Sequence, residues 1–162
     1  MQILVLYHSR TGHTKKLAEA VAKGASGVPG IQVVLKSAQE VARADFLASD
    51  GVIAGSPVYY GSMAAELKKV FDDFNDIRPK MEGKVGAAFA TSWDPSGGKE
   101  TTILSILQAW LIYGMIVVGD PMEATGHYGT ACSGEPDAKT LKNAALLGKR
   151  VAELAKKLRV QS

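Results

Sequence analysis

The chain has 162 residues, 46% of them apolar, and a formal net charge of +3 at pH 7. A chain of that size suits one domain, residues 1–162, with a core that needs neither disulfides nor a structural metal. So mild a charge does not mark a nucleic-acid binder or a membrane-surface protein, and the single cysteine, Cys132, excludes an intrachain disulfide.

A free thiol without a disulfide framework fits a reducing cytoplasm. The apolar run Ile3–Leu6 is too short for a signal peptide and follows no basic stretch. No run approaches the length of a membrane span. Lys139, Lys142, Lys149, Arg150, Lys156, Lys157 and Arg159 crowd the C-terminal region. No aromatic residues interleave them, so they read as a solvated helix face.

In chain order, Ile3–Tyr7 is a short apolar run and reads as a buried strand. Thr14–Ala25 follows with a helical stripe of Leu17, Ala18, Val21, Ala22 and Ala25. Gly27, Pro29 and Gly30 break it, and Ile31–Leu35 is a second strand. A connector through residues 44–49 leads to the third strand, Gly51–Gly55. Ser62–Phe74 is a helix with Met63, Leu67, Val70, Phe71 and Phe74 inward. Lys84–Ala90 is the fourth strand, and Lys99–Tyr113 a helix with Ile103, Leu107, Trp110 and Leu111 inward. Met115–Val118 is the fifth strand, and residues 119–136 form a Gly-rich loop. Asp137–Leu158 is the closing helix. Strands alternating with helices imply an α/β fold, a parallel sheet covered on both faces.

Ligands of such sheets sit outside the carboxyl ends of the strands, so three loops carry the chemistry. The first is Ser9-Arg10-Thr11-Gly12-His13-Thr14. Its hydroxyls surround a glycine just before a helix, whose N-terminus presents unpaired N–H groups and partial positive charge. Together these make a phosphate cradle that needs no lysine. A simple helix cap would explain one hydroxyl, but not three. Neither G-x-x-x-x-G-K-[ST] nor G-x-G-x-x-G occurs. The acidic residues of a phospho-receiver are missing too: Tyr7-His8 and Ala54-Gly55 stand there. The second loop, Gly55-Ser56-Pro57-Val58-Tyr59-Tyr60-Gly61, offers two tyrosines on a Pro/Gly frame, flat faces for a planar ring. The third, Thr91-Ser92-Trp93-Asp94-Pro95-Ser96-Gly97-Gly98, pairs an uncovered tryptophan with glycines that let backbone approach a ring closely.

These loops together resemble the flavodoxin superfamily, whose T/S-x-T-G-x-T loop holds FMN phosphate; residues 9–14 match it. The closer likeness is to the WrbA-type NAD(P)H:quinone oxidoreductases. It rests on residues 55–63, on Gly97-Gly98 with Glu100 and Thr102, on Gly114-Met115-Ile116-Val117-Val118, and on Gly126-His127-Tyr128-Gly129. The resemblance implies a three-layer α/β/α sandwich with a five-stranded parallel sheet of order 2-1-3-4-5. It implies FMN as cofactor, with Ser9, Arg10, Thr11, Gly12, His13 and Thr14 on the phosphate. Pro57, Val58, Tyr59, Tyr60 and Gly61 would flank the isoalloxazine. Ser92, Trp93, Asp94, Pro95, Ser96 and Gly97 would reach its pyrimidine side and ribityl chain. Tyr113 stands where the family often has a histidine near the flavin, and His127 is the candidate proton donor. Two further departures are a short connector between the second and third strands and Trp93-Asp94-Pro95 in place of a Thr/Gly-rich run.

The implied activity is two-electron transfer from NADH or NADPH, through FMN, to a quinone, in a chain that leaves a homodimer open. The alternative is a flavodoxin-type one-electron carrier, although such carriers are strongly acidic and this chain is slightly basic. A non-catalytic flavin-binding module is the third reading. His8, His13 and His127 are scattered, so no metal site is expected.

Overall fold

The computed structural model describes residues 1–160. Five parallel strands, β1 (Gln2–Tyr7), β2 (Gln32–Ser37), β3 (Gly51–Pro57), β4 (Val85–Ser92) and β5 (Ile116–Val117), lie in the order β2-β1-β3-β4-β5. The helices are α1 (His13–Ser26), α2 (Arg43–Ala48), α3 (Ala65–Asp73), α4 (Lys99–Ile112) and α5 (Ala138–Val160).

Alternation along each strand divides the core in two. Ile3, Val5, Ile53, Val85, Ala87 and Phe89 face α1 and α5. Leu4, Leu6, Val52, Ala54, Ala88 and Ala90 face α2, α3 and α4, with Phe46, Leu67, Phe71, Ile106 and Trp110 above them. Small residues set the spacing where helices α1 and α5 cross. A Cβ on Gly24 would meet the Ala145 carbonyl oxygen at 1.8 Å, and one on Gly148 the Val21 carbonyl oxygen at 2.0 Å. That contact fixes α1, and so places the start of α1 at the top of β1.

Three expectations change. The connector at residues 44–49 holds the short helix α2, tied by the Ala42 N–H to Asp45 Oδ2 at 2.8 Å and by Lys36 Nζ to the same carboxylate. The Gly-rich loop holds a strand, β6 (Thr130–Ser133), which pairs in parallel with β4 beyond β5 on the same edge. Leu111 does not face inward: it is 63% exposed, and Ile106 takes the buried place. One face of α4 reaches the core, while Leu111 and Ile112 extend its apolar character to the outside.

Candidate active site at the carboxyl edge of the sheet

The first turn of α1 carries no side-chain cap and no acidic residue. Its N-terminal N–H groups therefore keep their donor capacity and partial positive charge. The loop is shaped to leave them open. Ser9 Oγ accepts the Gly12 N–H at 3.1 Å, which turns the chain back, and Gly12 lies at φ 94° with open space where a Cβ would be. Thr14 is buried, its Oγ1 2.7 Å from Thr91 Oγ1, so the pair shares one hydrogen bond and keeps a second hydroxyl proton to give.

The second loop closes as a tight hairpin. Tyr59 and Ser62 exchange both backbone hydrogen bonds, at 3.0 and 3.1 Å, around Tyr60 at φ 50° and Gly61 at φ 76°. Two positive φ values make a type I′ turn, which favours Asn-Gly. A tyrosine in the left-handed region is strained, and strain of this kind gathers at functional sites. Tyr60 is fully exposed, so the strain serves no packing inside the chain. Replacing Tyr60 with Asn is expected to raise the melting temperature of the apoprotein, by about 0.5–1 kcal/mol of relieved strain. The same variant loses about tenfold in FMN affinity by fluorescence titration, as expected of one lost ring contact.

The third loop folds on itself. Ser92 Oγ donates to the Asp94 carbonyl at 2.7 Å, Gly97 N–H to the same carbonyl at 3.0 Å, and Ser96 N–H to Asp94 Oδ1 at 2.7 Å. Trp93 is held at the tip, 90% exposed. Val58 N–H donates to the Thr91 carbonyl at 2.8 Å, so the second and third loops leave the sheet side by side.

Between the three loops lies a cavity of about 470 Å³, lined by Arg10, Thr11, His13, Thr14, Pro57, Val58, Tyr59, Thr91, Ser92 and Trp93. All ten lie in the three candidate loops; Thr91, which opens the third, is the one to which no flavin contact is assigned from the sequence. Ser9, Gly12, Tyr60, Gly61, Asp94, Pro95, Ser96 and Gly97 build the loops but do not line the cavity.

Tyr113 is a correction. It follows the C-terminus of α4, which runs 14 residues away from the site, about 21 Å at about 1.5 Å per residue. It is 4% exposed, packs on Trp110 and Phe71, and donates its hydroxyl to the Phe71 carbonyl at 2.7 Å. Burial pushes its hydroxyl pKa up to about 12. Above about pH 10 the unfolded chain loses this proton while the fold retains it, so stability falls as pH rises through about 12. Tyr113→Phe is expected to remove that alkaline step, to cost about 1 kcal/mol at neutral pH, and to leave FMN affinity unchanged. Denaturant midpoints across pH check the first two and a flavin titration the third.

His127 does not join the loops either. Its N–H donates to Asp120 Oδ1 at 2.7 Å and its Nδ1 lies 2.9 Å from Thr125 Oγ1, in a second cavity between α4 and α5. The chain swings outward there so that β6 can rejoin the sheet edge after β5. His8 is buried, with Nδ1 3.2 Å from Gln39 Nε2 and Nε2 3.5 Å from Glu66 Oε1. Cys132 is half-buried, and burial pushes its thiol up to about 11, so it is protonated at neutral pH. Among the described residues no three His, Cys, Asp or Glu side chains are placed to hold a metal ion, and no helix is long and apolar enough to cross a membrane.

An uncapped, acid-free helix start beside the half-buried Tyr59 and the exposed Trp93 has the chemistry to take a planar phosphorylated ligand. The family described as NADPH-dependent FMN reductase matches residues 30–129. The chain belongs to that family. Among its relatives is a flavodoxin of Aquifex aeolicus (strain VF5), 39% identical over 158 residues, covering 94% of this chain and 85% of that one. An NAD(P)H dehydrogenase (quinone) of Archaeoglobus fulgidus is 38% identical over 189 residues, covering 97% and 98% of the two chains. A solved flavodoxin, WrbA-like protein from Agrobacterium tumefaciens superposes with a TM-score of 0.84 at 29% identity, over 96% of this chain and 98% of that one. The fold is flavodoxin-like. The family match begins after the loop at residues 9–14 and does not bear on it.

Proposed function

We propose that this chain, as a single domain, binds FMN between its three loops and transfers two electrons from NADH or NADPH to a quinone. The observation that carries the reading is the open start of α1, without cap or acid, facing the aromatic walls of Tyr59 and Trp93. FMN held there would supply the redox chemistry, two-electron exchange between the nicotinamide and the quinone. The chain supplies position. Ser9, Arg10, Thr11, Gly12, His13 and Thr14 hold the phosphate. Arg10 and the helix start offset its charge. Pro57, Val58, Tyr59, Tyr60 and Gly61 form one wall, and Ser92, Trp93, Asp94, Pro95, Ser96 and Gly97 the other.

The names of the Archaeoglobus relative and of the family support the donor and acceptor classes. The name of the Aquifex relative favours an electron carrier instead. A net charge of +3 weighs against that alternative, because it lacks the acidic field that steers such carriers to basic partners. A cytoplasmic location fits a chain with one cysteine. A homodimer fits the exposed Leu111, Ile112 and Ile116, which follow one another at the end of α4 and the start of β5.

Steady-state turnover tests the proposal. With FMN-loaded protein and p-benzoquinone, hydroquinone should form in equal amount to the nucleotide oxidised. FMN-loaded protein that leaves both NADH and NADPH unoxidised overturns it.

A further inference from the structure

A second cavity, of about 420 Å³, lies at the outer edge of the sheet. Its walls are the first turns of α4, the first turns of α5, and the segment between β5 and β6. That segment is packed backbone to backbone. A Cβ on Gly119 would meet the His127 carbonyl oxygen at 1.9 Å, and one on Gly129 the Ala88 carbonyl oxygen at 2.1 Å. The cavity is therefore preformed, and its volume falls within the range of about 300–1,000 Å³ usual for small-molecule sites.

Two polar groups in it lack partners. Asp120 is 3% exposed, and its Oδ1 accepts the His127 N–H. Its Oδ2 has no hydrogen-bond partner among the described residues, and it is not sealed from the cavity that Asp120 lines. The neighbouring Arg150 is committed to the backbone carbonyls of Gly119 and Asp120, not to this carboxylate. Thr130 is 4% exposed, and its Oγ1 is buried with no partner. Buried polar groups are nearly always bonded. Thr130 Oγ1 is sealed beneath the lining, out of reach of a ligand, whereas Asp120 Oδ2 opens on the cavity and points to a ligand that donates to it.

The chemistry of the lining names the class. A carboxylate oxygen accepts from the hydroxyls of a ribose, as it does in dinucleotide folds. Asn143 offers donor and acceptor groups beside it. Ile103, Ala124 and Ala131 make an apolar floor for a base, and Lys139 provides a cation for phosphate. Lys99 and Glu100 cancel at the wall. That wall divides the two cavities by a short chain of bonds: Lys99 Nζ donates to Ser133 Oγ at 2.9 Å, and Ser133 Oγ lies 3.1 Å from Ser92 Oγ in the flavin cavity.

We propose that this second cavity holds the adenylyl half of the nicotinamide dinucleotide while the nicotinamide crosses the Lys99–Ser133–Ser92 wall to the flavin. The assignment rests on the oxidoreductase reading above. Its test uses FMN-loaded protein and two donors, the dinucleotide and reduced nicotinamide mononucleotide, which has no adenylyl half. The variants are Asn143→Leu and Lys139→Glu. Leucine is a stronger helix former than asparagine, and glutamate in the first turn of α5 suits the helix dipole, so neither is expected to lower the melting temperature. Each variant should raise KM for the dinucleotide about tenfold with kcat kept, and leave both constants for the mononucleotide unchanged. Calorimetry with 5′-AMP gives a readout independent of turnover: wild type binds it and both variants bind it at least about tenfold more weakly. Equal effects on both donors, or 5′-AMP binding that the variants do not alter, overturn the assignment. If neither donor is oxidised by wild type, the oxidoreductase reading fails, and the 5′-AMP titration still decides whether the cavity takes a nucleotide.

Discussion

Replacing Gly12 with Asp is expected to weaken FMN binding about a hundredfold while riboflavin affinity stays within about threefold of wild type. The structure separates these effects. A Cβ at Gly12 meets nothing within 4 Å, and aspartate tolerates the left-handed backbone better than most residues. The first turn of α1 has no acid of its own, so a carboxylate there stabilises the helix by about 0.3–1 kcal/mol. The apoprotein therefore folds. The same carboxylate faces the proposed phosphate site. Two unit charges about 4 Å apart repel by about 4 kcal/mol at an effective dielectric of about 20, and salt reduces that toward the hundredfold stated. Riboflavin has no phosphate and meets only the ring walls. Titration by quenching of flavin fluorescence measures both ligands, and raising the salt should narrow the gap between them.

Trp110→Ala should lower the free energy of unfolding by about 3–5 kcal/mol, a large share of the stability of a domain this size. The indole is fully buried. It meets Phe71 edge-on at 4.8 Å and Tyr113 at 6.0 Å, and lies tilted against Phe46 at 6.2 Å. It also rests on Gly86 of β4, where a Cβ would meet its Cγ at 2.9 Å. Its Nε1 donates to the Ala87 carbonyl at 3.0 Å. Truncation empties this space and removes that hydrogen bond. Trp110→Phe keeps much of the volume and should cost about 1–3 kcal/mol, chiefly for the lost donor. Chemical denaturation checks both: the midpoint falls with the slope unchanged. FMN affinity at low denaturant should persist in Trp110→Phe, because the ring stands under α4 and not at the loops.

The sheet was readable because its strands are covered on both faces and so are short, almost wholly apolar runs, Ile3–Tyr7 and Lys84–Ala90 among them. β6 escaped for the opposite reason. It is an edge strand of Thr, Ala, Cys and Ser with only Ala131 packed on the α4 side, and it lacks both an apolar run and an alternating one. α2 is six residues long, too short to show a helical period. The loop at residues 9–14 stands out in the sequence by its hydroxyls and glycine. That α1 has no acid in its first turn is also visible in His13-Thr14-Lys15, and the structure adds that nothing else caps it. Tyr113 was misplaced because resemblance assigns a position along the chain, whereas a helix of 14 residues carries that position to the other end of the sheet. Asp120 carried no signal: an isolated acid in a Gly-rich loop reads as solvated, and only folding buries it.

The measurement closest to the central claim is anaerobic mixing of the FMN-reconstituted protein with NADPH, and separately with NADH, while flavin absorbance is followed. The account predicts full bleaching by at least one of them, with one nucleotide oxidised per FMN, and return of the absorbance on adding benzoquinone. Tight FMN binding with no bleaching by either nucleotide would contradict it.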